Sequence, residues 1–191
     1  MPTTLPRSFY LESPELVARN LLGKLLTRTL DGEPLTGRIL EVEAYLGLND
    51  PAAHTFAGKT ARNAVLFGPP GFSYVYFIYG MHYCLNFSCL PDGEPGGVLI
   101  RSLQPVAGLD TMASLRGLSS PASPKLLCSG PGRLCQALSI TRTENALDVT
   151  RAKSPLRVLN DGFQPTSISV TPRIGISKAV DLPLRFLMTD P

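Results

Sequence analysis

The density of proline and glycine is the feature that most restricts what this chain can fold into. Eighteen prolines and seventeen glycines are spread through 191 residues, and both residue types interrupt regular structure. The sequence therefore predicts short elements with many connections, and it shows no internal repeat or heptad pattern. Residues 50–71 are the least regular stretch, and a long loop inside a domain is often functional.

Local patterns predict an α+β protein with mostly antiparallel strands. Ser13 and Pro14 are typical of a helix N-cap and first helical position, and Gly23 is typical of a helix end. The other predicted elements are strands over 24–30, 35–45 and 97–103, a turn over 31–34, a hairpin over 74–88 that turns near 79–81, helices over 108–117 and 130–138, a loop over 118–125, and short strands with proline turns over 152–191.

The composition excludes several classes of protein. Hydrophobic residues make up 43% of the chain and charged residues 17%, which argues against disorder. No apolar run is long enough to cross a membrane and no signal peptide is visible, so a cytoplasmic location is expected. Neither a dinucleotide-binding nor a P-loop glycine motif is present, which disfavours the nucleotide-cofactor folds.

Charge and cysteine content leave the partner open. The net charge of +3 and the isoelectric point of about 8.7 permit a nucleic-acid partner without requiring one. The four cysteines contain no CxxC pair, so we expect them to be reduced, buried, small apolar side chains.

Two carboxylates stand close together in the second predicted strand. Residues two apart in a strand share a face, so Glu41, Glu43 and Tyr45 should point one way and Val42 and Ala44 the other. This face is either solvated or functional, and its position before the irregular loop favours function.

One of the two histidines follows this motif in the loop. Glu43 and His54 could both bind a metal ion, but no third ligand has suitable spacing to them. A loop histidine of this kind is also compatible with a simple hydrogen-bonding role. The sequence therefore predicts no metal site.

The predicted hairpin is rich in tyrosine. Alternation places Tyr74 and Tyr76 on one face, and Tyr79 and Met81 fall at the tip. One interpretation is a core face with an exposed tip. The other is a platform that stacks on nucleobases together with an apolar wedge that opens the minor groove. Basic residues that could contact phosphates nearby are Arg38, Lys59, Arg62, Arg101 and Arg133.

These motifs together resemble the alkyladenine (3-methyladenine) DNA glycosylase family, in its vertebrate-type group. The resemblance is carried by Glu43-Ala44-Tyr45 within 38–47, by Ala52-Ala53-His54, Arg62-Asn63, Leu85-Asn86, and by the segments 74–81, 99–105, 128–138 and 183–186. The blocks occur in the family's order and extend from about residue 16 to residue 186. Ordered matches of this kind are far more specific than any single motif.

The resemblance implies a role for each matched residue. Glu43 would deprotonate the attacking water, and Arg101 would help to hold that water and a DNA phosphate. Tyr45 would stack on one face of a flipped base, with His54 on the same side and Tyr76 on the opposite face. The remaining implied roles are base-edge contact by the Ala52 backbone, screening of purines by Asn86, intercalation by Tyr79 with Met81, and DNA-backbone contact by Arg62 and Arg133.

It also implies an overall architecture and a reaction. We expect one glycosylase domain over 1–191, with a curved, mostly antiparallel sheet, flanking short helices, a protruding hairpin, and loose ends at 1–10 and 187–191. The implied partner is double-stranded DNA containing damaged purines, namely 3-methyladenine, 7-methylguanine, hypoxanthine or ethenoadenine. The nearest lysine to the motifs is Lys59, so we expect a monofunctional enzyme that uses water as the nucleophile and leaves an abasic site. We also expect the enzyme to be a monomer that needs no cofactor. It should be associated with the nucleoid, or with the nucleus if the source is a eukaryote.

Other functions remain compatible with the residues alone. The main alternative is a nucleic-acid binding module without catalysis, to which Glu43 would bring no benefit. A nucleosidase acting on free nucleosides would not need Tyr79 at an exposed tip. A metallohydrolase using Glu43 and His54 would lose activity with a chelator.

Overall fold

A long central strand organises the sheet of this protein, for which a computed structural model describes residues 1–189. The strands are β1 (Thr3–Thr4), β2 (Leu25–Leu30), β3 (Glu33–Tyr45), β4 (Ser73–Ile78), β5 (His82–Ser88), β6 (Gly97–Ala107), β7 (Leu156–Asn160), β8 (Ile168–Thr171) and β9 (Arg185–Met188). The α-helices are α1 (Pro14–Leu21), α2 (Leu109–Leu115), α3 (Pro124–Cys128) and α4 (Pro131–Ala137). Short 3-10 helices span Arg7–Leu11, Gly47–Asn49, Ala64–Phe67 and Arg142–Glu144.

The described strands form one curled sheet in the order β1-β7-β2-β3-β6-β5-β4, with β8 joined through β9. Every strand pairing is antiparallel. One edge of β3 pairs with β6 along most of its length, while the other pairs first with β2 and then with β9. The expected α+β fold with a mostly antiparallel curved sheet, short flanking helices and a hairpin is therefore confirmed.

The register between β3 and β6 is irregular beside the two carboxylates. Ile39 pairs with Leu103 and Glu41 with Ser102, so Leu40 is an extra residue on β3. Val42 then pairs with Ile100, which makes Arg101 the extra residue on β6. Bulges of this kind change the direction of side chains, and here they let both Ile39 and Val42 join the buried apolar cluster.

The first helix begins and ends where its sequence predicts. The Ser13 side chain accepts a hydrogen bond from the Leu16 amide at 3.3 Å, Pro14 occupies the first turn, and Gly23 follows the helix. Val17 and Leu21 are fully buried on its inner face. This amphipathic spacing anchors the helix against the sheet.

The ends of the chain are held more firmly than the sequence suggests. β1 pairs with β7, and Tyr10 is fully buried. Leu187 pairs with Glu41 through β9, and Met188 pairs with β8. The expectation of loose ends is thus wrong for most of residues 3–10 and for 187–188, because each segment completes a strand pair or the core, while residues 190 and 191 lie outside the described part.

The predicted loop at 118–125 is shorter than expected, because α3 begins at Pro124. None of the helices formed by residues 1–189 is both long and apolar enough to cross a lipid bilayer.

Candidate active site

A cavity of about 480 Å³ lies where the end of β3, the following loop and the β4–β5 hairpin meet. The start of β6, the start of α4 and residues 174–178 close its remaining sides. Of the residues that the sequence singled out, its wall contains Tyr45, Ala52, His54, Tyr76, Tyr79, Asn86 and Arg101. The fold therefore brings one strand motif, one loop motif and one hairpin motif to the same place.

Glu43 lies directly behind this wall and is fully buried. Its Oε2 accepts hydrogen bonds from the Tyr45 hydroxyl at 2.9 Å and from Arg101 Nη1 at 3.1 Å. Its Oε1 accepts one from the Ile174 amide at 2.9 Å. All three donor residues line the cavity, so the carboxylate is held in one orientation at its edge.

Glu41 shares the arginine that binds Glu43. Arg101 Nε donates to Glu41 Oε1 at 3.0 Å, and Arg185 Nε donates to the same oxygen at 2.6 Å. The predicted common face of Glu41, Glu43 and Tyr45 is confirmed by these contacts. Two carboxylates and two guanidinium groups thus form one network in which no charge is left without an opposite partner.

Tyr45 serves this network as a hydrogen-bond donor. Burial, together with the adjacent charge of Glu43, raises the pKa of Tyr45 well above its usual range. The phenol therefore keeps its proton at neutral pH, and its O–H group can donate a hydrogen bond to the carboxylate. One face of the ring is covered by the guanidinium of Arg173, whose central carbon lies 4.7 Å from the ring centroid.

The loop after β3 is attached to the rest of the site by Asp50. Its carboxylate accepts hydrogen bonds from the Leu46 and Ala52 amides at 3.1 and 3.0 Å. Burial by itself would raise the pKa of Asp50. The hydrogen bonds from Arg173 and from these amides nevertheless hold that pKa below its usual value. Gly47 also matters here, because it has φ of +72° and a Cβ at this position would lie 1.8 Å from the Pro95 carbonyl oxygen.

The aromatic wall of the cavity combines the loop histidine with two hairpin tyrosines. The His54 ring lies 4.5 Å from the Tyr76 ring between centroids, and Tyr74 lies 5.4 Å from Tyr76. His54 Nδ1 and the Tyr74 hydroxyl are 2.9 Å apart and form a hydrogen bond. The expectation that His54 lies on the side of Tyr45 is wrong, because packing against the hairpin places it with Tyr76.

Electrostatics keep this wall neutral near pH 7. Desolvation by the surrounding residues and, to a smaller extent, the positive charge of Arg62 lower the pKa of His54. Burial raises the pKa of Tyr76 beyond its usual range. An uncharged imidazole beside protonated phenols favours stacking with a flat ligand over binding of an anion.

Asn86 completes the hairpin side of the cavity. Its side-chain amide donates to the Tyr74 carbonyl oxygen at 3.3 Å, and the residue is 7% exposed. The side chain is therefore held by its own hairpin while still reaching the cavity wall.

The hairpin tip projects from the protein. Tyr79 is 76% exposed and Met81 is 68% exposed. Tyr79 and Gly80 have positive φ angles of 54° and 69° in this turn. A tyrosine rarely adopts that conformation, and unfavourable backbone of this kind is concentrated at functional sites.

The predicted DNA-backbone residues lie at the surface near the cavity. Arg62 donates to the Phe77 carbonyl oxygen at 3.4 Å, and its guanidinium carbon lies 5.5 Å from the Tyr76 ring centroid. Arg133 is exposed on α4, directly after Gly132 of the cavity wall. Arg38 is different, because it is paired with Asp161 at 2.8 Å and stacked on Phe163.

Comparison with known proteins gives a consistent result. The family model described as methylpurine-DNA glycosylase matches residues 8–191. A protein of Koribacter versatilis is 56% identical over 185 residues, which are 96% of this chain and 89% of that protein. Proteins of Burkholderia cenocepacia (46% identical, 96% of this chain and 87% of that protein) and Methanoculleus marisnigri (47%, 97% and 95%) are also similar. All three carry 3-methyladenine DNA glycosylase as a provisional name.

The chain belongs to the methylpurine-DNA glycosylase family. It is therefore a DNA glycosylase, a hydrolase of N-glycosyl bonds, and its substrate is DNA. The resemblance on which the sequence analysis depends is confirmed at the level of the family.

The cavity and its surroundings also contain residues that sequence reasoning missed. Asp50 and Arg173 form a buried ion pair, Ile174 binds Glu43, and Lys178 lines the cavity. Only Asp50 had a usable signal, since an Asp two residues before Ala52 can accept its amide in an Asx turn. The other three come from a segment about 130 positions further along the chain than Glu43, and no local pattern connects the two.

Cys84 also lines the cavity, as the cross-strand partner of Tyr76. It is 4% exposed, and desolvation raises the pKa of its thiol. The expectation that the cysteines are buried holds for all four, which lie within the described residues as free thiols.

Proposed function

We propose that this glycosylase is monofunctional, flips a damaged purine such as 3-methyladenine into the cavity, and hydrolyses its N-glycosidic bond with a water activated by Glu43. The observation that carries the proposal is the position of the Glu43 carboxylate, fixed by three donors at the edge of a cavity walled by aromatic rings. The products would be a free base and an abasic site in double-stranded DNA.

The cavity has suitable dimensions and walls for a nucleobase. Its volume of about 480 Å³ falls within the range of about 300–1,000 Å³ that small-molecule sites occupy. Tyr45 and Tyr76 reach it from β3 and β4, which are separated in the sheet by β6 and β5. A flipped base between them would stack on both sides, and each stacking contact with an aromatic ring is worth roughly 1–3 kcal/mol.

The same rings bear on the class of lesion. Arg173 lies 4.7 Å from the Tyr45 ring centroid and Arg62 lies 5.5 Å from that of Tyr76, so each tyrosine already faces one cation. Like charges repel, so a positively charged base on the other face of either ring would lose part of its attraction to that ring. A neutral lesion such as hypoxanthine would accordingly compete better with positively charged alkylpurines than it would if neither tyrosine had a guanidinium beside it.

Glu43 has the chemical capacity to bind and deprotonate water. A carboxylate offers about four acceptor positions, and the three protein donors occupy three of them. The remaining position can accept a hydrogen bond from a water that enters between the cavity-lining groups. Bond breaking develops positive charge on the sugar, as in glycoside hydrolysis, and the adjacent negative charge of Glu43 stabilises it.

Flipping would be assisted by the hairpin tip. Extrusion of a base costs a few kcal/mol, and less for a damaged or mispaired base. Tyr79, exposed at the tip, would stack in the space that the base leaves. Arg62 and Arg133 would contact the DNA backbone on either side, and the protein would act as a monomer on chromosomal DNA in the nucleoid, or in the nucleus of a eukaryote.

The main test is release of free base from defined lesions. We expect duplex oligonucleotides with a single 3-methyladenine analogue, 7-methylguanine, hypoxanthine or ethenoadenine to lose the base under single-turnover conditions. Chromatography of free bases and alkaline cleavage at the abasic sites measure this directly. Binding of lesion DNA without release from any of these substrates would favour the alternative, a non-catalytic nucleic-acid binding module.

A metal-dependent hydrolase is a weaker alternative on these contacts. Glu43 and His54 are each engaged by other side chains, and residues 1–189 contain no group of three potential ligands around one point. Base release should therefore continue unchanged in EDTA.

Lys178 makes the monofunctional character testable. A lysine in the cavity wall could in principle attack the C1′ aldehyde of the abasic product and form a Schiff base. We expect borohydride to trap no more covalent complex with the wild-type protein than with Lys178→Gln, as judged by denaturing gels. Efficient trapping that disappears in Lys178→Gln would show instead that the enzyme is bifunctional.

A further inference from the structure

No step of the proposed reaction uses the buried ion pair between Asp50 and Arg173. Both side chains are fully buried, and two nitrogens of the guanidinium bind the two carboxylate oxygens at 2.5 and 2.9 Å. We propose that this pair positions the Glu43 carboxylate, so that Asp50 and Arg173 are positioning residues for base release. The inference rests on the proposed function of Glu43 as the base.

The first connection from the pair to Glu43 runs through the backbone. Arg173 is bound to Asp50 and also donates from Nη1 to the Ala44 carbonyl oxygen at 3.0 Å. The next residue, Ile174, donates its amide to Glu43 Oε1 at 2.9 Å. Anchoring Arg173 therefore fixes the place of a donor that binds the catalytic carboxylate.

The second connection runs through Tyr45. The guanidinium of Arg173 covers one face of this ring at 4.7 Å from its centroid. The hydroxyl of the same ring donates to Glu43 Oε2 at 2.9 Å. A single buried arginine thus touches both groups that, together with Arg101, set the orientation of Glu43.

The chemistry of the pair suits positioning better than stabilisation. Buried ion pairs often contribute no more to stability than well-packed apolar residues would. An apolar pair, however, could not bind the Ala44 carbonyl oxygen or the Leu46 and Ala52 amides that Arg173 and Asp50 hold. The planar guanidinium can bind a carboxylate in two places and cover a ring at the same time, which the ammonium group of lysine cannot do.

Two variants test the proposal without leaving a single unpaired charge in the interior. Asp50→Asn combined with Arg173→Gln removes both charges, and Arg173→Lys keeps them while removing the planar group. We expect either variant to lower the single-turnover rate of base release by about 10- to 100-fold, because small displacements of catalytic groups have effects of this size. The affinity for DNA with an uncleavable abasic-site analogue should change by less than about threefold, since the pair acts on the chemical step.

The matched control is Glu144→Gln, which disrupts another buried ion pair away from the cavity. Arg28 and Glu144 are 3.0 Å apart, with side chains 13% and 8% exposed. This variant should lose thermal stability but keep the wild-type rate of base release. A purely structural role of Asp50 and Arg173 would produce the same result for their variants, namely a lower melting temperature with a rate within threefold of wild type, and would overturn the proposal.

A measurement on the wild-type protein covers the case in which neither variant folds. The Ile174 amide is bound to Glu43, so its hydrogen exchange should be much slower than that of exposed loop amides. Rapid exchange at Ile174 would overturn the proposal independently of any variant. Absence of base release from the wild-type enzyme would contradict the proposed function instead, and normal release by wild type and both ion-pair variants would contradict only this inference.

Discussion

Glu43→Gln is expected to lower the single-turnover rate of base release by about 10²- to 10⁴-fold, the contribution typical of a general base. Glutamine is nearly the same size, so it fits the fully buried site and can still accept hydrogen bonds from the Ile174 amide or Arg101. It cannot take a proton from water, and it carries no negative charge to stabilise the developing charge on the sugar. Affinity for lesion DNA should remain close to that of the wild type, as measured by fluorescence anisotropy.

Glu41→Gln is the matched control for this change. It neutralises a carboxylate on the same face of β3 that is bound to the same Arg101, and Arg185 is its other partner. We expect a much smaller loss of rate, because Glu41 is not bound by the cavity-lining Tyr45 or Ile174. Base release by Glu43→Gln within tenfold of wild type, or equal losses in the two variants, would rule out Glu43 as the base.

Tyr79→Asn is expected to reduce base release from duplex DNA by roughly 5- to 150-fold, which corresponds to loss of about 1–3 kcal/mol of stacking. Asparagine tolerates the positive φ of this position, so the turn should persist without the ring. Single-stranded substrates have no duplex gap to fill, and their rate should change by less than about threefold. Rates on the same lesion in single- and double-stranded oligonucleotides measure the difference.

Phe77→Ser provides a comparison on the same hairpin. Phe77 lies on β4 two residues before Tyr79, is 41% exposed, and packs its ring against Tyr83 at 5.0 Å between centroids. Loss of this aromatic side chain should leave the ratio of duplex to single-strand activity unchanged. If Tyr79→Asn lowers activity equally on both substrates, Tyr79 does not act as a wedge.

Several elements follow from local sequence alone. The helix between Ser13 and Gly23 has a capping side chain, a proline in the first turn and a glycine after its end, all of which act within a few residues. The hairpin over 73–88 combines tyrosine-rich strands with a Tyr-Gly turn. Such signals depend on backbone preferences and on alternation along one strand, which a sequence displays directly.

The residues of the cavity wall were identifiable for a different reason. Tyr45, His54, Tyr76 and Arg101 belong to motifs that resemble a known family, and the fold brings them around one cavity. Their individual roles remain predictions. The resemblance did not determine that His54 packs with Tyr76, because the side on which a loop residue lies depends on the element against which the loop packs.

The sequence by itself determined the short antiparallel elements, the common face of Glu41, Glu43 and Tyr45, and the family. Only the tertiary structure decided how Glu43 is held. The bulges at Leu40 and Arg101 aim an arginine at both carboxylates, and the segment with Arg173 and Ile174 reaches Glu43 from about 130 positions away along the chain. Contacts of this kind arise from strand register and chain crossing, which depend on the packing of the whole core and leave no periodic pattern in the residues that make them.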